Sequence, residues 1–361
     1  MQRRDFLVQC SIAAPAATLA LSSPSSWSAL QQPGWRTFDI VTSVDLAGAE
    51  GATQLWLPVP LNQGGDYQRR IALHFDAPGA AQARLVNVPG YDVELLHVRW
   101  PDARSVGPVT LTSRVMTRDR RVDLATPTRA TRDADLQSYL RATTLLPTDG
   151  LVKATAERIT RGHDTDVARA RALYEWVVDN TARDPQVRGC GVGDVNAMLA
   201  NGTMGGKCAD INALFVALAR SLKIPARDAY GVRVTESRLG YNCLGKSGDI
   251  SKSQHCRAEF FAPEHGWVPV DPADVRKVIL EEQGGLAMES PKVQAARKML
   301  FGAWEMNWIA YNRGHDVALP GSAKRALPFL MYPAGETNHA RLDSLDAATF
   351  RYSIHSSEVV A

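Results

Sequence analysis

Two kinds of hydrophobic spacing divide the chain. From about residue 35 to residue 120, apolar residues alternate with polar ones, as they do around Ile40, Leu57 and Leu111, and glycine-containing turns separate these runs. A period of two places one face of a strand in the core, and many short strands joined by turns are typical of an antiparallel sandwich. We therefore predict a β-rich N-terminal region. It contains no cluster of titratable residues, which favours a structural or substrate-presenting role.

The spacing becomes helical after a charged, threonine-rich stretch over 121–150 that is typical of a linker. Helix caps, apolar stripes and glycine or proline breaks then mark the elements that follow. We predict helices over 166–179, 195–200 and 290–302, a helix that begins near Cys208 and ends before Pro225, and strands over 226–235, 255–262 and 267–271. Helices followed by antiparallel strands predict an α+β fold.

The first 29 residues have the features of an export signal. Adjacent arginines at positions 3 and 4 precede Phe6 and Leu7, and an apolar, alanine-rich run follows. Because Pro15 interrupts this run and the run is short for a membrane span, we expect a cleaved signal of the twin-arginine type rather than an anchor. The mature chain would then be periplasmic or otherwise exported, and it would contain no integral membrane span.

Composition excludes several classes of function. The chain has 361 residues, 45% of them hydrophobic and 22% charged, and its net charge is +3. A charge this small creates no strong field for nucleic acid or an anionic membrane, and no RNA-binding, zinc-finger or basic-helix pattern occurs. The sequence has no Cys-x-x-Cys, no paired Cys/His spacing suited to zinc and no acidic calcium loop. We therefore expect no metal and no cofactor.

Three separated residues supply the groups of a thiol acyl-transfer enzyme. Cys208 follows two glycines at a predicted helix start, where unpaired N–H groups and the helix dipole stabilise a thiolate and a developing oxyanion. His255 begins a predicted strand and can act as base and acid, and Asp271 ends the next strand, where it can orient the imidazole. Each has an ordinary structural explanation by itself. Their joint occurrence in this order favours the catalytic interpretation.

Strand alternation predicts how the histidine is aimed. Along QHCRAEFF, His255, Arg257 and Glu259 share one face, and Cys256 lies on the other. We therefore expect His255 to point at the start of the Cys208 helix. Cys256 should point away from the site, as a small buried apolar group.

Cysteine pairing stays open at this stage. Once the signal is removed, four cysteines remain, at positions 190, 208, 243 and 256. If Cys208 stays a free thiol, then Cys190, Cys243 and Cys256 cannot all be paired within the chain. Cys190, which lies between two glycines, is either near the site or has a structural or disulfide role.

These motifs resemble the transglutaminase-like core of the papain-like cysteine enzymes. G-x-C, an apolar helix and I-P-A-R, then H-x-x-A-E, G-W-V and V-D-P, occur in the order typical of that superfamily over roughly residues 165–275. The resemblance implies a helix bearing the cysteine packed on an antiparallel sheet. It also implies that Cys208 is the nucleophile, His255 the general base and acid, and Asp271 the orienting carboxylate.

Two positions stand apart from this resemblance. Cys256 occupies a position where superfamily members often have alanine, which is a small change in size. No side chain for an oxyanion hole is evident. Trp176 is a candidate, but its place on its helix favours core packing.

We predict four parts: an export signal (1–29), an N-terminal β-rich domain (30–125), a transglutaminase-like catalytic domain (126–280) and a C-terminal extension that packs on the core (281–361). The resemblance implies an exported enzyme that attacks amide or peptide carbonyls through a thioester on Cys208, with water or an amine as acceptor. We expect a protease or amidase, a protein or peptide substrate, including one of the cell envelope, and no nucleic-acid partner. The alternative is a non-catalytic envelope-binding or scaffold protein that keeps the fold. The sequence leaves the substrate and the oligomeric state open.

Overall fold

The structure is a computed structural model, and it describes residues 34–46, 49–62, 64–102, 106–127, 136–338, 340–348 and 350–360. The predicted export signal lies outside the described residues. Within the described part of the chain, no helix is both long enough and apolar enough to cross a membrane.

The described chain alternates between strand-rich and helical segments. The strands are β1 (Trp35–Asp45), β2 (Thr53–Pro58), β3 (Gln68–Asp76), β4 (Gln82–Val88), β5 (Val93–Trp100), β6 (Val109–Arg118), β7 (Arg120–Arg121), β8 (Ala182–Arg183), β9 (Gly205–Gly206), β10 (Ala226–Arg233), β11 (Gly248–Asp249), β12 (Gln254–Ala262), β13 (Gly266–Val270), β14 (Ala303–Trp304), β15 (Trp308–Asn312), β16 (Ala334–Thr337) and β17 (Arg351–Glu358). The α-helices are α1 (Gly150–Ile159), α2 (Asp166–Asn180), α3 (Val195–Ala200), α4 (Cys208–Ser221), α5 (Pro272–Glu281) and α6 (Pro291–Met299).

The N-terminal strands form two antiparallel sheets that pack face to face. One sheet has the order β11-β17-β1-β6-β3, and the other has the order β16-β2-β5-β4. Val44 and Leu111 from the first sheet and Leu57 and Leu96 from the second belong to one buried cluster. The period-two pattern therefore buries one face of each sheet, and the predicted strand-rich N-terminal region is confirmed.

The C-terminal segment completes this sandwich with strands that the sequence did not predict. β17 pairs antiparallel with β1, from Phe38 opposite Glu358 to Asp45 opposite Arg351, and β16 pairs with β2. The two ends of the described chain are thus joined in one pair of sheets.

A third antiparallel sheet, of four strands, carries the α+β core. Its order is β13-β12-β10-β15, and α4 packs on one face, where Phe215 meets Phe260 with ring centroids 6.2 Å apart. On the opposite face, Ala229 and Ala310 share a buried cluster with Leu61 and Tyr67 of the N-terminal region. The sheet is therefore covered on both sides, which explains why β10 and β12 are buried along their whole length.

Several elements differ from the sequence-based expectations. The described part of the predicted linker is packed rather than extended, because Leu146 is buried and Tyr139 meets the Trp267 ring edge-on at 5.2 Å. Helices α1 and α5 were not predicted. For α5 the signal was present, since Asp271 is its N-cap and Pro272 its first residue, a combination that favours a helix start.

Candidate active site

The sequence around Cys208 fixes the cysteine at a helix N-terminus. Cys208 is the first residue of α4, so its backbone N–H has no acceptor within the helix. A Cβ on Gly206 would lie 2.6 Å from the Cβ of Asp210, which only glycine avoids. The two glycines before the helix allow close approach rather than a tight turn, because Gly205 and Gly206 form the short parallel strand β9 beside β8 and neither has a positive φ.

Asp210, one turn into α4, ties the preceding loop to the helix start. Its carboxylate accepts the N–H groups of Val192 and Gly193 at 2.9 and 2.8 Å, and that of Lys207 at 2.9 Å. Gly191 has a φ of +91°, and a Cβ there would lie 1.8 Å from the Asp210 carboxylate. Glycine is thus required for the loop to bring Cys190 against α4.

His255 and Asp271 meet at one end of the sheet, just beyond the last paired residues of β12 and β13. The His255 Nε2 lies 2.7 Å from the Asp271 Oδ2, and both side chains are buried. The other carboxylate oxygen of Asp271 accepts the backbone N–H of Asp274 at 3.1 Å, so the same residue caps α5. An ionised carboxylate only accepts, so Nε2 donates, and Nδ1 is the nitrogen left free to exchange a proton with a neighbour. The structure thus brings Asp271 to His255 in the predicted orientation.

The position of Cys256 corrects the expectation that it points away. As expected, its side chain is a small buried group, in the cluster packed around α4. It does not point away from the site, because its thiol is among the groups that lower the pKa of Cys208. His255, from the other face of the strand, reaches Cys208 as well. It can do so because β13 pairs with β12 only as far as Ala258, so the start of α5, rather than a strand, lies beside His255.

Asn212 links these elements, and sequence reasoning missed it. From α4 its amide donates to the Cys256 carbonyl at 2.8 Å and lies 3.4 Å from the Asp271 carboxylate. From β15, the Trp308 indole N–H donates to the backbone carbonyl of His255 at 2.8 Å. Buried hydrogen bonds therefore hold α4, β12 and the Asp271 carboxylate in fixed positions relative to one another.

Charges around the imidazole favour its protonated form. Burial and the Arg233 guanidinium lower the pKa of His255, but Asp274 and Asp271 outweigh them, so the pKa lies above the ordinary 6.5. Arg233 is itself neutralised by Asp274, with Nη2 and Oδ1 2.5 Å apart. Neither Arg233 nor Asp274 was singled out from the sequence.

The Cys208 thiol is the second member of a thiol–imidazole pair with His255. Hydrogen bonds from the Cys190 and Cys256 thiols lower the pKa of Cys208, and although burial raises it, a hydrogen bond and the charge of His255 lower it further, to well below the ordinary value for a thiol. The same contact with Cys208 raises the pKa of Cys190, and burial raises that of Cys256. These shifts favour one thiolate, at Cys208, beside two neutral thiols. The Gln254 carbonyl oxygen lies 3.3 Å from the Cys190 Sγ and is a second acceptor for the Cys190 proton. The three thiols are not joined by disulfides.

A cavity of about 970 Å³ opens above this group, and Cys208, His255, Cys190 and Tyr332 line it. Trp176 does not line it. Its ring packs against the core around α4, and the guanidinium of Arg158 lies 5.9 Å from its centre. The core role that we favoured for Trp176 therefore agrees with its position.

The buried carboxylates do not favour a metal ion. Ligand atoms of His255, Asp271 and Asp274 lie within 4.8 Å of one another. However, Arg233 is bound to Asp274, and Arg257 lies 3.6 Å from Asp271. Two guanidinium groups already balance the two carboxylates, so a divalent cation would meet like charge.

Comparison with known proteins places this arrangement in a family. Residues 153–272 match the family described as the transglutaminase-like superfamily. A protein of Haemophilus influenzae, named only as uncharacterized, is 34% identical over 341 residues, which cover 90% of each chain.

Solved structures resemble the chain at lower identity. A crystal structure of a candidate cysteine protease from Cytophaga hutchinsonii is 12% identical, covers 91% of this chain and 92% of its own, and superposes with a TM-score of 0.54. At this identity the likeness concerns the fold alone. The periplasmic domain of TgpA from Pseudomonas aeruginosa is 16% identical over 72% of this chain and 96% of its own, with a TM-score of 0.36.

Proposed function

The chain belongs to the transglutaminase-like superfamily, and from this premise we propose that it is an exported cysteine enzyme that cleaves amide or peptide bonds through a thioester on Cys208. The observation that carries the proposal is that Cys208 and His255 line the same cavity while the His255 Nε2 lies 2.7 Å from the Asp271 carboxylate, and His255 lowers the pKa of Cys208. A thiolate, an imidazolium and an orienting carboxylate are the groups that this chemistry requires.

In the first step the Cys208 thiolate attacks the carbonyl carbon of the substrate. The C–S bond forms as the C=O double bond opens, and negative charge moves onto the carbonyl oxygen. The backbone N–H of Cys208, free at the start of α4, and the helix dipole are placed to stabilise that charge. When the tetrahedral species collapses, the C–N bond breaks and the amine leaves.

The departing amine needs a proton, and His255 supplies it. Nε2 is held by Asp271, so Nδ1 is the nitrogen that donates. The neutral imidazole then removes a proton from the acceptor, which attacks the thioester and releases Cys208. Water as acceptor gives hydrolysis, and a primary amine gives transfer. We favour hydrolysis for an exported protein.

Export is part of the proposal and rests on the sequence. The arginine pair before Phe6 and Leu7 and the apolar run after it support a twin-arginine signal. We propose likewise that residues 30–125 form the main part of a β-rich domain and that 126–280 form the main part of the catalytic domain. Residues 281–361, predicted as an extension, add β15 to the core sheet and β16 and β17 to the sandwich. A protein or peptide substrate, including one of the cell envelope, follows from the amide chemistry.

Capture of the acyl intermediate tests this proposal. The purified chain is incubated with an extract of cell-envelope proteins and peptides and quenched in acid, and its cysteine-containing peptides are analysed by mass spectrometry. We expect a thioester adduct on Cys208, absent from Cys208→Ala, and the adduct mass identifies the acyl group. Cys190, Cys243 and Cys256 are internal controls. Two outcomes would favour a non-catalytic binding protein. One is an adduct distributed over all four cysteines, and the other is the absence of any adduct together with uniformly slow alkylation of all four.

A further inference from the structure

The cavity beside Cys208 is strongly basic, which amide cleavage by itself does not require. The chain as a whole is nearly balanced, with 41 Lys and Arg residues against 38 Asp and Glu. Among the described residues that line the cavity, eight are Lys or Arg and none is Asp or Glu. Positive charge is therefore concentrated where the substrate would lie.

Part of this charge is balanced by carboxylates outside the cavity lining. Arg183 and Lys277 share one carboxylate, Glu281, which Arg183 contacts and which lies 3.3 Å from the Lys277 Nζ. One anion cannot neutralise two cations, so this group keeps a net positive charge. Three other arginines of the lining each have a carboxylate partner: Arg188 with Asp343, Arg233 with Asp274 and Arg351 with Asp45.

Three lysines of the lining form no salt bridge with any described residue: Lys207, Lys246 and Lys252. Lys246 has an acidic neighbour at longer range, Asp249, whose carboxylate is bound to the Ser251 N–H and hydroxyl at 2.9 and 2.5 Å. Lys207 directly precedes the nucleophile, and the two loop lysines belong to the segment that leads into His255. Unpaired charge thus lies on both segments that supply the reacting groups.

We propose that the site takes an anionic acyl donor, namely a peptide with carboxylates close to the scissile amide. This inference rests on the proposed function, because that chemistry requires an amide carbonyl, which the phosphate backbone of a nucleic acid does not offer. In a cleft with low-dielectric walls, charges of one sign raise the local concentration of the opposite ion and speed its association. The lysines would bind the carboxylates and leave the amide at the Cys208 sulfur.

The carboxylates could be side chains within a protein segment or the free ends of short peptides. Both sources offer the same group to the lysines. They differ in position, since a terminal carboxylate lies on the backbone and a side-chain carboxylate lies beside it. An experiment with separate arms distinguishes them.

Alkylation of Cys208 by two reagents measures the potential of the cavity without a known substrate. Iodoacetate is an anion and iodoacetamide is its neutral counterpart, so the ratio of their rates reports the local charge. We expect a ratio at Cys208 roughly ten-fold above that of N-acetylcysteine, falling as salt is raised. Because the His255 imidazolium also attracts an anion, the decisive variant is Lys246→Gln/Lys252→Gln, which should lower the ratio at least three-fold.

Lys298→Gln, at an exposed position of α6, is the matched control and should leave the ratio unchanged. A ratio at Cys208 no higher than that of N-acetylcysteine, or one unaffected by the double variant, would overturn the inference. If iodoacetamide itself does not select Cys208 over the other cysteines, the proposed function fails. If it does and the ratio is ordinary, only the inference about charge fails.

Protection from iodoacetamide by peptides then tests the substrate class. Three probes are compared: an amidated Glu-rich peptide, the same peptide with Gln at each Glu position, and the Gln peptide with a free C-terminal carboxylate. We expect the Glu peptide to slow alkylation of Cys208 and the amidated Gln peptide to have no effect. Protection by the third probe indicates a terminal carboxylate. Equal protection by Glu and amidated Gln peptides, or protection by none of the three, would contradict an anionic substrate.

Discussion

Strand β12 carries two buried ionic groups on one face, and they differ in kind. At its start, His255 meets Asp271 and Asp274. In its middle, Glu259 meets Arg120, Arg227 and Arg313, at 2.5, 2.6 and 3.2 Å. The first group contains an imidazole, whose pKa is lowered by burial and Arg233 but held above the ordinary 6.5 by the two carboxylates. The second consists of one carboxylate and the three guanidiniums around it.

The electrostatics of the two groups follow from these partners. Burial raises the pKa of Glu259, but the three arginines outweigh it and bring the pKa below its usual range. Arg120 lies on β7 and Arg313 directly after β15, so this network joins separate segments of the chain to the sheet. At His255, two carboxylates favour the protonated imidazole while burial and Arg233 oppose it, so this side chain can both hold and release a proton. One group is therefore suited to holding the fold, and the other to transferring a proton.

The largest expected effect is a loss of activity on changing His255, which distinguishes the His255 group from the Glu259 group. His255→Gln keeps an amide donor for Asp271 but cannot exchange a proton with Cys208. We expect the rate of acyl transfer to fall roughly 10³-fold or more, while stability changes by about 1–2 kcal/mol. Adduct formation on Cys208 and urea unfolding measure the two quantities. Wild-type activity in this variant would contradict a proton-transfer role.

Glu259→Gln should give the opposite pattern. Removal of this charge leaves three arginines buried without their shared partner, and we expect a loss of about 3–5 kcal/mol in the free energy of unfolding. The control is Glu94→Gln, which removes one partly exposed pair with Arg70 and should cost about 1 kcal/mol or less. If the two variants unfold at the same urea concentration, the network around Glu259 does not stabilise the fold.

The smallest effect sharpens the role of the neighbouring thiols. Cys256→Ala removes one hydrogen-bond donor to Cys208, so the pKa of Cys208 should rise and its alkylation at mildly acidic pH should slow by up to about ten-fold. Cys243 lines the same cavity but is not among the groups that act on Cys208, so Cys243→Ala is the matched control. Equal behaviour of the two variants would assign Cys256 to packing alone.

The sequence predicted the elements of the site better than their surroundings. Periodicity and turn signals were sufficient for α4, β12 and β13, because these signals are local. The position of Cys190 depends on a glycine loop folding onto α4, and that of Cys256 on the packing of β12 against α4, neither of which any spacing reveals. Arg233 reaches the site only through strand pairing, in which Gly231 lies opposite His255.

Strand alternation misled us about Cys256 for a related reason. The rule assigns faces correctly, but the N-terminus of α4 lies near the start of β12, where His255 and Cys256 from opposite faces both act on Cys208. The sandwich strands β16 and β17 were missed because the tail shows no clean alternation, and their partners lie hundreds of residues away. Local hydrophobic patterns do not indicate which distant strands pair with one another.

The pH dependence of Cys208 alkylation by iodoacetamide tests the central claim most directly. If Cys208 is a thiolate paired with the His255 imidazolium, its rate should stay high well below pH 7 and its midpoint should lie far below the ordinary thiol value of 9.0. His255→Gln should move that midpoint upward. A midpoint near pH 9 in the wild-type chain, unchanged by His255→Gln, would contradict the account.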